Sequence, residues 1–349
     1  MVLKRTVLVM GLVRALQVAK HVSPLAASSN VARRSASTFG DVLIMPKGPD
    51  VLKRALSADG FVSAKAVDIS AAVAEICAVQ HCSPLAATAL GRALVATVLI
   101  ADGIDKDEVF QVHFAGDGPL RGVTAICNGA LEMRGYVGNP AVGGDRNVKR
   151  GVGNGSLQVV RLKNLPGELY ARPVSSIVDI VSGEIAEDIN HYVATSEQRE
   201  GALSAGVFID EQDVILHAGG WRLELLPGAP QEVADQLVAN VKRLLDSCVQ
   251  MTEMLANGQS CDDMLGMLLK DMDYNILDGT DVASTPAFKC SCGIERVYRT
   301  LALLPRHEVR AISAANENVE IKCEFCSRQY SLTAKQVDDY IDDLDKEKA

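Results

Sequence analysis

The sequence predicts an α/β (α+β) protein: a core domain of mixed sheet and helices, a helical linker after it, and a small C-terminal domain built on four cysteines. Three observations predict this. Residues 41–228 alternate short β-patterned runs with helical ones. From Val233 onward apolar residues recur at three- and four-residue steps. Cys290, Cys292, Cys323 and Cys326 fall as two close pairs in the final sixty residues. A length of 349 residues leaves room for two or three domains.

The N-terminal segment comes first. Residues 1–40 carry Lys4, Arg5, Arg14, Lys20, Arg33 and Arg34, no acid, and many Ser and Ala. That is the composition of an organelle transit peptide. Val7, Leu8, Leu12, Ala15 and Leu16 fall near one helical face, and Arg33-Arg34 before Ser35-Ala36-Ser37 suits processing. A secretory signal with a short apolar core over 6–13, and an unprocessed tail, are the alternatives. The expected destination is the mitochondrial matrix, with plastid or cytoplasm as alternatives.

In the core, 67–79 reads as a helix. Ser83-Pro84 supplies an N-cap and a proline at the first helical position of an almost wholly apolar helix ending near Ala101. Residues 109–114 read as a strand. Residues 122–127 and 130–136 flank Asn128-Gly129, the preferred pair for a type I′ hairpin turn. A strand over 157–162 follows, then a helix over 184–197 with Ile185, Ile189 and Tyr192 on one face. Strands over 206–209, 214–218 and 221–226 close the core. Pro227-Gly228-Ala229-Pro230 marks a boundary.

The linker, 229–286, opens on a helix of about 25 residues carrying Val233, Leu237, Val241, Leu244, Cys248, Met251 and Leu255 on one side. A second helix starts at Ser260. Five of the nine methionines, 251, 254, 264, 267 and 272, lie here. Met is flexible and polarizable, which suits a promiscuous binding surface, although packing against the core is the plainer reading. In 287–349, Thr333 and Gln336 form a capping-box pattern for a last helix, and 338–349 is an acidic, solvated tail.

Composition narrows the function. The formal charge is −9; setting aside the six basic residues of the first forty leaves 29 basic against 44 acidic residues, a net of −15. Such a body repels phosphate backbones, so no nucleic-acid partner is expected. No run of eighteen uncharged apolar residues occurs, so no membrane span is expected. Nine cysteines, an odd and mostly scattered set, do not read as a secreted disulfide framework.

The two cysteine pairs carry the chemistry. Cys290-Ser-Cys292 and Cys323-x-x-Cys326 each place two thiolates on one tight turn, and two such turns supply the four tetrahedral sulfurs that Zn2+ takes. Gly293 is expected to admit backbone N–H groups to the sulfurs. Residues 319–322 and 329–332 read as hairpin arms. Lys289, Arg296, Lys322 and Arg328 would offset the net −2 of a four-thiolate zinc site. A domain this small has little core, so metal binding would carry much of its folding free energy. Oxidation could then close each pair on itself, Cys290 with Cys292 and Cys323 with Cys326. A permanent structural zinc, two standing disulfides, or four unrelated thiols are the alternatives.

These pairs, with Gly153-Asn-Gly155-Ser-Leu157-Gln-Val159-Val160, Tyr192-x-x-x-Ser196-Glu197-Gln198 and Gly219-Gly220-Trp221-Arg-Leu-Glu-Leu-Leu226, resemble the 33-kilodalton heat-shock protein family of redox-regulated holdase chaperones. The resemblance covers residues 41–340. It implies a non-enzymatic, ATP-independent chaperone that is inactive while its four cysteines hold zinc. Oxidation releases the metal, unfolds the C-terminal region and linker, and exposes a surface for unfolding client proteins; the active form is a homodimer. The N-terminal extension departs from the bacterial pattern and points to an organellar eukaryotic member. Cys248 and Cys261 in the linker are extra and could add a disulfide. A zinc-stabilised nucleic-acid-binding regulator and a dithiol oxidoreductase using Cys323 and Cys326 are the competing functions.

No catalytic residues are assigned. Gly151, Gly153 and Gly155 fit neither G-x-G-x-x-G nor a P-loop and read as a tight loop before a strand. His81 and His191 show no ligand spacing. Cys77, Cys82 and Cys127 are expected to be buried and inert. Ser196-Glu197-Gln198, at a helix end, is expected to cap and pack.

Overall fold

The computed structural model describes residues 37–39, 42–44, 48–163, 172–246, 251–277, 285–314 and 318–347. Of the segment read as a transit peptide, 1–40, residues 1–36 and 40 lie outside these, as does the linker position Cys248. In chain order the elements begin with β1 (Ser37–Phe39), β2 (Val42–Ile44), β3 (Val51–Ser57), β4 (Val62–Asp68), α1 (Ser70–Gln80) and α2 (Pro84–Ala101). Then come β5 (Val109–Gly116), β6 (Val123–Asn128), β7 (Glu132–Val137), α3 (Val148–Val152), β8 (Gly155–Lys163), β9 (Arg172–Asp179) and α4 (Ile185–Ser196). β10 (Glu200–Ile209) and β11 (Ile215–Leu225) precede α5 (Gln231–Asp246), α6 (Met251–Ala256), α7 (Cys261–Leu268), β12 (Tyr274–Ile276) and β13 (Ala287–Phe288). Last are α8 (Ile294–Leu303), α9 (Arg306–Ala314), β14 (Val319–Lys322), β15 (Gln329–Leu332) and α10 (Ala334–Glu347). The chain divides into two compact units, Met1–Phe288 and Lys289–Ala349.

The first unit is built on two sheets. One has the order β10-β11-β4-β3-β12 and is antiparallel throughout. The other has the order β13-β7-β6-β5-β8-β9, antiparallel except where β13 joins β7 in parallel. Between them runs α2, packed on β5, β6 and β7 from one sheet and on β10 and β11 from the other. Its length and apolarity would let it cross a membrane, yet 83% of it is buried inside this unit. Ser83 Oγ accepts from Ala86 N at 3.3 Å and Pro84 opens the first turn, so the sequence signals for this helix start act as expected. The small residues that thin the helix are matched in the sheet. A Cβ on Gly220 would stand 2.7 Å from Val95 Cγ1 and 2.2 Å from Ser204 O, so nothing larger fits between them.

Three local readings change. The helix expected over 67–79 begins only at Ser70, because Val67 and Asp68 pair with Gly220 and Gly219 of β11 and finish β4. Its first amides are capped from outside, Ala71 N and Ala72 N each donating to an Asp50 carboxylate oxygen at 3.0 Å. The β6–β7 hairpin has no type I′ turn. It closes through three residues, 129–131, with Leu131 in the left-handed region at φ 60° and its N–H on Asn128 O at 2.9 Å. Burial of the Leu131 side chain holds that conformation. Gly129 is needed for closeness rather than for φ, since a Cβ there would lie 2.2 Å from Asp105 O. The three strands expected over 206–226 are two, because Gly219-Gly220 continues the β11 ladder.

The linker segment covers a sheet. Leu237, Val241, Leu244, Met251, Met254, Met264, Leu265 and Leu268 are buried with Val62, Ala64, Ala66, Trp221 and Leu223. Each buried Val, Leu or Met among them contributes about 1.5–3 kcal/mol. Asn240, also buried, ties the helices together by donating to Leu268 O at 3.1 Å and Lys270 O at 2.7 Å. The long helix expected from 233 to 255 comprises α5 and α6 among the described residues. α7 starts where Ser260 predicted it, with a full Ser260–Asp263 capping box. Glu197, expected to cap and pack at the end of α4, pairs instead: its Oε1 accepts from Tyr192 Oη at 3.0 Å and from Arg161 Nη2 at 2.6 Å.

The second unit holds α8, α9, α10 and the β14–β15 hairpin. Among the described residues its buried apolar side chains include Val297, Leu301, Val309, Leu332 and Val337. The Thr333–Gln336 capping box forms, and the helix it opens runs to Glu347, so the acidic stretch expected as a tail is helical. Leu303 is 85% exposed.

Candidate metal centre

Each cysteine pair is placed by a turn. Cys290 and Cys292 precede α8, and the Cys292 amide donates to the Cys290 sulfur. That N–H···S geometry is what the single intervening residue allows. Cys323 and Cys326 sit in the turn joining β14 to β15. There Cys323 N donates to Arg328 O at 2.9 Å and Ser327 N to Cys323 O at 2.9 Å, with Ser327 left-handed at φ 54°. The Arg328 amide donates to the Cys326 sulfur. Both turns thus aim amide hydrogens at sulfur, which favours the thiolate.

The hairpin and the α8 turn bring all four sulfurs within 4.8 Å of one another. Cys290 Sγ lies 3.7 Å from Cys323 Sγ, and Cys292 Sγ 3.3 Å from Cys326 Sγ. Four sulfurs about 2.3 Å from a tetrahedral ion stand about 3.8 Å apart. The donor set and its spacing therefore fit a metal ion of the zinc type. All four thiols are partly exposed, so solvent reaches them.

The sulfurs are not equivalent. Burial pushes the Cys290 thiol up to about 12. Burial also works against the Cys292 thiolate, but hydrogen bonds from Tyr330 and the neighbouring thiols outweigh it and bring Cys292 down to about 7. Tyr330 Oη is 3.1 Å from Cys292 Sγ. Tyr330 was not singled out from the sequence; its position in β15, four residues past Cys326, was the available signal. Of the four expected cations, Arg328 is hydrogen-bonded to Tyr330, lies in the field of Cys292 and Cys326, and stays more firmly protonated than usual. Arg296 Nη1 bonds Ser291 Oγ at 3.0 Å, inside the first turn.

Gly293 does not play its expected part. Its φ of −169° is extended backbone open to any residue, and a Cβ there would meet nothing within 4 Å. Its carbonyl starts α8 by accepting from Arg296 N at 3.0 Å and Val297 N at 3.3 Å. Of the expected glycine loop at 151–155, Gly151 lies in the last turn of α3 and Gly155 opens β8, so the tight loop before the strand is 153–154, where Asn154 N donates to Asp117 Oδ1 at 2.7 Å. Cys127 and Cys261 are buried, with burial raising Cys261 to about 12 and Cys127 beyond the usual thiol range. Cys82 departs from expectation, being only half-buried and beside Cys77.

Comparison with known proteins agrees with this arrangement. Residues 50–333 match the family described as Hsp33 protein. A 33 kDa chaperonin of Clostridium perfringens is 32% identical over 306 residues, covering 85% of this chain and 93% of that protein. A 33 kDa chaperonin of Symbiobacterium thermophilum is 34% identical over 295 residues, covering 82% and 96%. The crystal structure of the 33 kDa chaperonin from Thermotoga maritima superposes with a TM-score of 0.71 at 27% identity, covering 84% of this chain and 98% of that one. With two sheets around one apolar helix and a four-cysteine C-terminal unit, the chain belongs to the Hsp33 protein family.

Proposed function

We propose that this chain is a redox-regulated, ATP-independent holdase that binds unfolding proteins stoichiometrically and turns over no substrate. The observation that carries the reading is the meeting of four thiols within 4.8 Å in a unit whose apolar core, among the described residues, is small. Cys290, Cys292, Cys323 and Cys326 would hold Zn2+, which when bound cross-links the α8 turn to the β14–β15 hairpin. The chain's own residues do the rest. Tyr330 and the neighbouring thiols hold the Cys292 sulfur as thiolate, and partial exposure admits the oxidant.

Oxidation joins Cys290 to Cys292 and Cys323 to Cys326, two electrons per pair passing to a hydroperoxide whose O–O bond breaks. Partners within a pair share one turn and stay neighbours as the unit loosens. Neither disulfide links the two turns, so the cross-link between them is lost. The linker helices, seated on the Trp221 face through Met254 and Met264, are the apolar surface that opening would offer to clients. The active state is a homodimer, and the acid-free basic segment 1–40 supports delivery to an organelle, the mitochondrial matrix first.

The test measures suppression of aggregation of a denatured client by reduced and peroxide-treated protein, with zinc release followed in parallel. Protection that rises as zinc leaves is the expected result. Zinc release with no gain in protection would refute the reading. Trypsin separates the two pairs, since Cys290 and Cys292 lie on 290–296 and Cys323 and Cys326 on 323–328. Disulfides linking those two peptides would overturn the pairing.

A further inference from the structure

We propose that Cys77 and Cys82 form a second redox couple, in the core and apart from the C-terminal four, that closes an intramolecular disulfide under a hydroperoxide. The backbone juxtaposes them. α1 ends in a Schellman turn: His81 is left-handed at φ 55°, His81 N donates to Ala78 O at 3.2 Å, and Cys82 N donates to Cys77 O at 3.0 Å. In this motif the residues joined by the longer bond pack side chain on side chain, usually as an apolar pair. Here both are thiols. A 3.0 Å N···O link with its covalent ends caps the Cα separation at about 7 Å, near the upper limit that a disulfide spans.

The two sulfurs have different surroundings. Cys77 is 3% exposed and belongs to the main core, whereas Cys82 is half-buried at the turn and reachable from solvent. A hydrogen bond to Cys82, then burial, pushes the Cys77 thiol well above its ordinary range. Cys82 therefore reacts first and Cys77 second. The Cys82 thiolate attacks the peroxide, the O–O bond breaks, and Cys82 becomes a sulfenic acid as water or an alcohol leaves. The Cys77 sulfur then attacks the Cys82 sulfur; the S–O bond breaks, the S–S bond forms, and Cys77's proton departs with the oxygen as water. Two thiols and one hydroperoxide give one disulfide, one water and one water or alcohol. The bond would pin the end of α1 to the start of α2, where Ser83 N already holds Pro140 O at 2.7 Å.

The inference is independent of the metal centre and is tested on the full chain. The tryptic peptide 66–92 contains Cys77 and Cys82 and no other cysteine. After hydrogen peroxide, alkylation and digestion, it is expected to carry neither alkyl group and to be two hydrogens lighter than the free dithiol peptide, and to regain both alkyl groups when reduced before alkylation. Cys77→Ala should leave Cys82 as a sulfenic acid captured by a dimedone probe, and Cys82→Ala should leave Cys77 alkylatable only after denaturation. Full alkylation of 66–92 under a dose that oxidises the C-terminal pairs would overturn the proposal. So would Cys82 over-oxidised or cross-linked between chains with Cys77 still free, or Cys77 equally oxidised in Cys82→Ala.

Discussion

Tyr330 Oη donates to Cys292 Sγ across 3.1 Å, so one of the four sulfurs is held by a side chain outside the cysteine cluster. The bond spans the two turns, since Tyr330 lies in β15 and Cys292 ahead of α8. Outer hydrogen bonds of this kind orient a ligand and hold its charge. Tyr330→Phe is expected to weaken zinc affinity about tenfold, or about 1.4 kcal/mol, in a chelator competition. Unchanged affinity would show that the contact is passive.

Removing ligands should act on one unit only. Cys290→Ser with Cys292→Ser leaves two sulfurs, too few for a closed site. The variant is expected to bind no zinc and to lose hydrogen-exchange protection over 289–347, while α2 keeps its own. It should also protect a client without oxidant. A metal-bound, fully protected double variant would contradict the ligand assignment.

How tightly the linker helices sit should set the threshold for activation. Met264 is fully buried against the Trp221 face, so Met264→Ala should cost about 2–5 kcal/mol. Urea unfolding followed by Trp221 fluorescence would show the loss. Client protection should then appear at a lower peroxide dose; an unchanged dose response would separate linker packing from activation.

A buried ion pair in the core gives a pH signature. Asp102 accepts from Arg54 Nε at 2.9 Å and lies 2.8 Å from Lys65 Nζ. Burial opposes its charge, but these cations prevail and hold its carboxyl below the usual range. A depressed carboxyl stabilises the fold fully above the unfolded value, about 3.9, and loses that contribution as pH falls through the folded value. Asp102→Asn should therefore cost about 3 kcal/mol at neutral pH, the low end for a broken buried pair because Arg54 is 25% exposed. Denaturant curves for the variant and the parent should start to converge below about pH 4 and meet once the pH is under the folded value. A constant gap would mean the loss is packing rather than charge.

Much of this was legible in the sequence, for physical reasons. Ser83-Pro84, Ser260 and Thr333 carry their capping chemistry within four residues, and α2, α7 and α10 begin where those signals stand. The meeting of the four cysteines was legible because close thiol pairs have few other uses. Long-range effects were not. Val67 suits a helix face as well as a strand, and only pairing with Gly220 decides between them. Asn128-Gly129 carries a local turn preference that burial of Leu131 and the approach of Asp105 override. Tyr330 and Cys82 gain meaning only from what the fold sets beside them.

Hydrogen exchange over residues 289–347 before and after peroxide tests most directly whether the four thiolates keep the C-terminal unit closed. Reduced, zinc-loaded protein should protect the amides of α8, α9 and the β14–β15 hairpin, and oxidation should erase that protection as the metal leaves, with α2 unchanged. Protection that persists across 289–347 after the metal has gone would contradict the account.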